Sequence, residues 1–180
     1  RKEWAYILTK NYQLDDFEYG EVDDRIRYFQ QLRQSDAAAA LQLLQNTWDN
    51  EAHPTKVKLL RCLSDNLGEK DIDFLESVLY DKRKPVRRTA ADLLSKVKNS
   101  PYVDRMQKRL ESCLFFDESL MNYKLQDSHL QLCKAMKRDG IELSKGSTNT
   151  TILLQLLAKT PLEWWQSTLK MSIPALLNWT

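Results

Sequence analysis

The stretch 71–97 constrains the fold of this chain more than any other. Ile72, Leu75 and Leu79 lie on one helical face. A polar turn follows, Tyr80-Asp81-Lys82-Arg83-Lys84. Pro85 then opens a second helix that carries Val86, Ala90, Leu93, Leu94 and Val97 at the 0, +4, +7, +8, +11 spacing of a buried helical stripe. A helix pair this short cannot bury its own apolar stripe, so the chain must supply neighbouring helices to cover it.

An echo of the same unit lies upstream. Trp48-Asp49 corresponds to Tyr80-Asp81, 32 residues on, and Lys56-Val57-Lys58-Leu59-Leu60-Arg61-Cys62-Leu63 falls on 87–94 with an offset of 31. The segment leading into it predicts a helix over 23–34 with Ile26, Phe29 and Leu32 inward. Ser35-Asp36 breaks that helix and caps the next, over 36–48, which presents Leu41, Leu44 and Trp48. Pro54-Thr55 starts a further helix with Val57, Leu60, Leu63 and Leu67 inward, ending at Gly68 as the C′ residue. A third pair is predicted from Ser100-Pro101, a cap followed by proline at the first helical position, with Val103, Met106, Leu110 and Cys113 as its stripe.

Beyond 115 the helical period fails. Residues 115–126 read as partly extended, 128–137 as a short helix stopped by Asp139-Gly140, and 141–149 as a loop. Helical order returns over 150–159 with Ile152, Leu153, Leu156 and Leu157. Thr160-Pro161-Leu162-Glu163 is a start signal with Thr as cap, Pro at N1 and Glu at N3, opening a helix that presents Leu162, Trp165 and Leu169; Pro174 opens one more. At the other end, 3–10 has the pattern of a short helix.

Composition agrees with helices joined by short turns: 180 residues, 42% hydrophobic and 29% charged, with only four Gly and five Pro. A net charge of +2 does not by itself impose a nucleic-acid or membrane partner. Cys62, Cys113 and Cys133 are isolated and odd in number, which points to buried thiols in a reducing compartment. No apolar run approaches the ~18 residues of a membrane span. A start at Arg1 and an apolar end at Ala175-Leu176-Leu177-Asn178-Trp179-Thr180 predict a piece of a longer protein.

Leu79-Tyr80-Asp81 followed by Pro85-Val86-Arg87-Arg88-Thr89-Ala90-Ala91-Asp92-Leu93-Leu94 resembles the HEAT-type repeat, in which an Asp in the turn precedes a Val-Arg pair, small Ala residues and Leu. The segments 38–48, Phe74-Leu75-Glu76, 81–94, Cys133-Lys134-Ala135-Met136-Lys137-Arg138-Asp139-Gly140-Ile141 and 153–165 together are similar to an uncharacterised bacterial family, described only as a domain of unknown function. That resemblance covers most of 24–180. It implies genes clustered with a MoxR-type AAA+ ATPase and a von Willebrand factor A-like protein, and it supplies no catalytic residues. Many relatives carry an aromatic pair where this chain has Thr150-Thr151-Ile152, so a family site built on those aromatics is not expected here.

Three features stand out as candidate sites. Lys82, Arg83, Lys84, Arg87 and Arg88 place five positive charges within seven residues. With Lys56, Lys58 and Arg61 they would make a basic stripe able to bind a phosphate backbone; the simpler reading is a solvated turn with inter-repeat salt bridges. Trp164 and Trp165 point about 100° apart on a helix, so one belongs in the core, and the other is either exposed as an anchor for a partner or buried as well. Asp139-Gly140-Ile141 either holds a carboxylate near a cleft or simply forms a turn. The acidic run Asp15, Asp16, Glu18, Glu21, Asp23 and Asp24 reads as a solvated linker and an acidic first helical turn, with a docking site for a basic partner as the alternative. His53 and His129 lack metal-ligand spacing, and no phosphate-binding Gly loop, Gly-x-Ser-x-Gly or His-Glu-x-x-His motif occurs.

The expected fold is therefore all-α: a HEAT/armadillo-like, right-handed α-solenoid of antiparallel helix pairs with an irregular insertion. Its expected parts are an N-terminal segment 1–22, helical repeats 23–114, an insertion 115–149 and a C-terminal helical segment 150–180. The expected function is a non-catalytic scaffold for protein–protein interaction in a bacterial cytoplasm, serving a MoxR-type AAA+ ATPase system, without cofactor, metal or membrane. Nucleic-acid binding through the basic stripe is the alternative, with a HEAT-like DNA glycosylase as its remote enzymatic form.

Overall fold

A computed structural model of the chain describes residues 12–117, 122–127, 130–172 and 174–175. The structure is predominantly α-helical and divides into two compact units, Arg1–Asp71 and Ile72–Thr180. The division falls inside the 23–114 span that the sequence suggests as one run of repeats. The predicted helix at 3–10 and His129 lie outside the described residues.

In the first unit α1 (Leu14–Glu18), α2 (Val22–Ser35), α3 (Ala37–Thr47) and α4 (His53–Cys62) follow one another, with α2 packed against the other three. Phe17, Phe29, Ala40, Leu44, Leu59, Leu60 and Leu63 form the core. The acidic run is more than a linker, because Phe17 within it is buried. Its ring lies 6.3 Å from Phe29, and its carbonyl accepts a 2.8 Å hydrogen bond from Arg25 Nε. Asp23 in the same run pairs with Lys58 at 3.1 Å. Asp36 caps α3 as the sequence predicts: its Oδ1 accepts from the backbone N–H of Ala38 and Ala39 at 3.1 and 2.9 Å.

The end of α4 departs from expectation. The helix stops at Cys62, and the left-handed residue is Asn66 (φ 54°) instead of Gly68. Leu59, Leu60 and Leu63 are fully buried, while Val57 and Leu67 are only half-buried. The cause is a long-range interaction that no local pattern reveals. Arg33, almost wholly buried, donates to the carbonyls of Asp65 (2.7 Å), Asn66 (3.0 Å) and Ala37 (2.8 Å), and to Asp71 Oδ2 (2.6 Å). Asn66 meets the cost of a positive φ by donating its side-chain amide to the carbonyls of Arg33 and Gln34. Asp71 Oδ2 also accepts from Gly68 N–H at 2.9 Å, so one carboxylate oxygen and one guanidinium close the 63–71 loop.

The second unit begins with the hairpin of α5 (Ile72–Val78) and α6 (Lys84–Leu94), which pack on each other. Phe74, Leu75, Val78 and Leu79 are buried on one side, and Val86, Ala90, Leu93, Leu94 and Val97 on the other, the stripe predicted from spacing. α7 (Pro101–Glu111) packs on α6 and on α9 (Asn149–Leu157). Ser100 caps α7 by accepting from Val103 N–H at 3.2 Å. Val103, Met106, Leu110 and Cys113 are buried as predicted, and Tyr102 joins them.

The insertion is partly extended, as the loss of helical period beyond 115 predicts. β1 (Leu114–Asp117) and β2 (Asn122–Leu125) pair antiparallel, with Leu114 opposite Leu125 and Asp117 opposite Asn122. Leu-Phe-Phe and the single Tyr supply the bulky, β-favouring positions of such a ribbon. A short α8 (Lys134–Arg138) then ends at Asp139-Gly140. α10 (Leu162–Leu169) starts one residue later than its signal suggests: Pro161 is the cap residue, and the Thr160 hydroxyl donates back to the Leu156 carbonyl at 2.9 Å, closing the previous helix instead. Trp165 and Leu169 are buried, whereas Leu162 is exposed.

Gly140 fixes the position of the insertion. Its φ is +75°, and a Cβ built on it would lie 2.9 Å from Ala91 Cβ and 3.4 Å from Arg88 Cα. Only glycine allows the Asp139-Gly140 turn to sit this closely on α6. Replacing Gly140 with Ala therefore combines a left-handed backbone penalty of ~1–2 kcal/mol with a steric clash. The expected result is a melting temperature lowered by about 4–8 °C for a chain of this size. The double variant Gly140→Ala/Ala91→Gly should recover part of that loss, because it removes the clash and leaves the φ penalty.

Candidate partner-binding surface

The turn between α5 and α6 is shaped by its own acid. Asp81 Oδ1 accepts the Arg83 N–H at 2.7 Å, and Pro85 sits in the first turn of α6. The five cations of this turn then divide. Arg87 is half-buried; its Nη1 donates to the carbonyls of Asp81 (2.8 Å) and Lys82 (3.2 Å), and its Nη2 lies 4.0 Å from Glu142. Lys82, Arg83, Lys84 and Arg88 are exposed, and among the described residues none of them forms an ion pair. Of the other predicted members of the stripe, Lys56 lies 4.7 Å over the Trp48 ring and Lys58 pairs with Asp23, both in the first unit.

The first residue of this turn belongs to the surface as well, although the sequence singles out only its cations. Tyr80 is 70% exposed, its hydroxyl accepts from Arg138 Nη1 at 3.2 Å, and the Arg138 guanidinium lies 5.5 Å from its ring centroid. Arg138 is held from below by Asp139, which accepts from its Nε at 2.8 Å. Asp139 is fully buried and gathers two further arginines from one face of α7: Arg109 at 2.6 Å and Arg105 at 3.4 Å. Arg105 also reaches Glu76 on α5 at 2.9 Å. Burial works against the charge of Arg105 and Arg138, and their hydrogen bonds and carboxylate neighbours outweigh it, so both hold their protons more tightly than a free arginine. The Asp139 carbonyl accepts from the Tyr102 hydroxyl at 2.8 Å. Burial, then the charge of Asp139, pushes the Tyr102 phenol far up.

The Asp139-Gly140 turn foreseen from the sequence is present, with its carboxylate fully buried. Its ligands are arginines of its own chain. The i, i+4 spacing of Arg105 and Arg109 is the one local hint of such a cluster.

The tryptophans separate as helical geometry requires. Trp165 is buried and Trp164 is half-buried, their rings packed edge to face with centroids 4.7 Å apart. Trp164 borders an open cavity of about 320 Å³ with Lys98, Asp104, Gln107, Pro161 and Glu163. A larger cavity, about 650 Å³, lies in the first unit between the start of α3 and the 66–71 loop, lined by Leu41, Gln42, Gln45 and Asp71 among others.

Cys62 and Cys113 are buried, and Cys133 is exposed, so the expectation of three buried thiols holds for two. Burial, with the charge of Asp65 second, pushes the Cys62 thiol up to about 11 from an ordinary 9.0. Burial also raises Cys113, against a lowering hydrogen bond from Ser112. His53 is exposed at the first residue of α4. Among the described residues no group of three or more His, Cys, Asp and Glu side chains is arranged to hold a metal ion, and no helix is long and apolar enough to cross a membrane.

Two outcomes follow. Asp139→Asn removes the charge that compensates three converging guanidiniums, so it should cost about 3–5 kcal/mol, read as a lowered urea midpoint. Thiol labelling of the native protein at pH 8 should modify Cys133 alone. Cys62 remains a protonated thiol there and should react only as the pH is carried from 9 towards 11, whereas in urea all three cysteines should label together.

Neither a curated protein nor a solved structure matches the chain. One family does, over residues 1–180: the chain belongs to the family of unknown function DUF5691.

Proposed function

We propose that this chain is a non-catalytic helical scaffold for protein–protein interaction, built in the manner of a HEAT-like stack and serving a MoxR-type AAA+ ATPase system in bacteria. The observation that carries the reading is the contrast between satisfied and unsatisfied charge in the second unit. Arg105, Arg109 and Arg138 are held by Asp139 and Glu76, while Lys82, Arg83, Lys84 and Arg88 extend from a firmly packed hairpin with no ion pair among the described residues. Fixed, unpaired charge on a rigid element suits recognition, since complementary charge steers encounter and sets register. Trp164, half-buried beside an open cavity, extends the available surface with the kind of side chain that anchors interfaces. The AAA+ assignment rests on the sequence resemblance alone.

Nucleic-acid binding is the second reading, favoured by the same unpaired cations. A base-excision form of it would need a carboxylate free to act, and Asp139 is committed to three arginines.

The test is capture of partners from a bacterial lysate, with and without nuclease, using the wild-type chain and Arg83→Glu/Arg88→Glu. The scaffold reading expects a specific protein, an AAA+ ATPase or its gene neighbour, retained after nuclease treatment. A catch of nucleic-acid-binding proteins that vanishes with nuclease, together with DNA affinity falling steeply with salt, would replace it with the second reading.

A further inference from the structure

We propose that the tip of the α5–α6 hairpin and the end of α8 together form a composite site for an acidic peptide segment of a protein partner, with Tyr80 and Arg138 as part of it. This rests on the scaffold reading above and names the chemistry of its partner.

Two segments far apart in sequence converge here. Gly140 brings the end of α8 against Arg87 and Arg88 of α6, with its Cβ position 3.4 Å from Arg88 Cα. The same turn carries Arg138 onto Tyr80. The site therefore presents Lys82, Arg83, Lys84 and Arg88 from one segment, Arg138 from another, and an exposed aromatic ring that one of these arginines covers.

The electrostatic contributions agree in sign. Among the described residues the four turn cations carry no ion pair. The N-terminus of α6, eleven residues long, points its positive dipole end at the same turn. The cluster beneath it sets three guanidiniums against the carboxylates of Asp139 and Glu76, which leaves an excess of positive charge. Two carboxylates stand by the turn: Asp81, whose Oδ1 accepts the Arg83 N–H and which keeps its negative charge, and Glu142, 4.0 Å from Arg87. The four exposed turn cations outnumber them, so an anionic ligand meets a net positive field.

The size of the patch favours a short acidic peptide over a nucleic acid. Arg87, Arg105 and Arg109 are already held by partners inside the chain, which removes three cations near this turn from any phosphate track. A phosphate backbone gains its affinity from many such contacts along a track. A run of Asp or Glu side chains needs only a few, and guanidiniums grip carboxylates in pairs of parallel hydrogen bonds. Arg138 is a positioned group in this arrangement: Asp139 holds its Nε and, at 2.8 Å, its Nη2, while Tyr80 takes a hydrogen bond from its Nη1.

The probe is fluorescein-labelled hexaglutamate, with hexaglutamine as the neutral control and a single-stranded thymidine hexanucleotide as the nucleic-acid control, followed by fluorescence anisotropy on the full chain. Hexaglutamate should bind at least about tenfold more tightly than hexaglutamine, and should weaken severalfold between about 50 and 200 mM salt. Arg83→Glu/Arg88→Glu should abolish binding. Tyr80→Ala, a change at an exposed residue, should weaken it about threefold or more, and Arg138→Lys, which keeps the charge and the fold, should do the same. Absence of hexaglutamate binding overturns the proposal. Binding untouched by both Tyr80→Ala and Arg138→Lys overturns the composite site, and tighter binding of the hexanucleotide overturns the choice of partner. A partner captured from lysate equally by wild type and Arg83→Glu/Arg88→Glu would sink this site and leave the scaffold standing. A wild-type chain that binds hexaglutamate yet captures no protein would sink the scaffold instead.

Discussion

The second unit depends on one buried carboxylate. Asp139 has no exposed surface, yet it remains in place because three guanidiniums from two elements close on it. Desolvating a charge costs several kcal/mol, and that cost is met only when attraction and hydrogen bonding are both well arranged. Here they are: Oδ1 and Oδ2 both have partners, and the main-chain carbonyl takes the Tyr102 hydroxyl. The cluster ties α5, α7 and α8 together through polar contacts of fixed geometry, while α6 is held to the same turn by the missing side chain of Gly140. An apolar contact would tolerate sliding. This one sets register, which is how a short five-residue helix after an irregular insertion comes to rest in one position.

The first unit solves a similar problem with a different pair. Arg33 and Asp71 are both buried, and the guanidinium uses its remaining donors to hold the carbonyls of Ala37, Asp65 and Asn66. Asp71 Oδ1 is left without a hydrogen-bond partner, the one such buried side-chain atom among the described residues. Its other oxygen carries both Arg33 and Gly68, so the carboxylate is anchored even with one lone-pair face unused. In each unit the chain closes a loop with a buried Arg–Asp contact between residues more than 30 positions apart.

This division explains what the sequence could and could not disclose. Helix stripes and caps are local, and they were legible: the Val86–Val97 spacing, the Asp36 and Ser100 caps, and the stop at Asp139-Gly140 all stand in the structure. Adjacent side chains on a helix point apart, yet that alone leaves open whether both tryptophans are buried; Trp165 is buried and Trp164 half-buried. Arg33 reads as one more polar residue on an amphipathic helix, because nothing within a turn of it reveals the carbonyls of Asp65 and Asn66. The same blindness moved the left-handed residue from Gly68 to Asn66, and hid Tyr80 and Arg138, whose meeting spans 58 positions. Periodicity reports which face is apolar. It carries no information on where a lone arginine in that face will find its acid.

The same reasoning separates the charges that build from the charges that remain available. A guanidinium buried against a carboxylate has its donors used and its desolvation already incurred, so it offers a partner little. A cation at a solvated turn keeps both its hydration and its full field, and its attraction for an opposite charge is felt over roughly a Debye length, ~8–10 Å at ordinary ionic strength. Arg87 and Arg88 are neighbours in sequence, yet they fall on opposite sides of this line: one is bound to the carbonyls of its own turn, the other faces solvent. Arg138 lies between the two, tethered through Nε and Nη1 but still 29% exposed. A group of that kind contributes to recognition without the entropy loss of ordering a free side chain, because the fold has already ordered it. The buried carboxylate that holds the insertion in place is therefore also what gives the neighbouring surface a fixed cation to present.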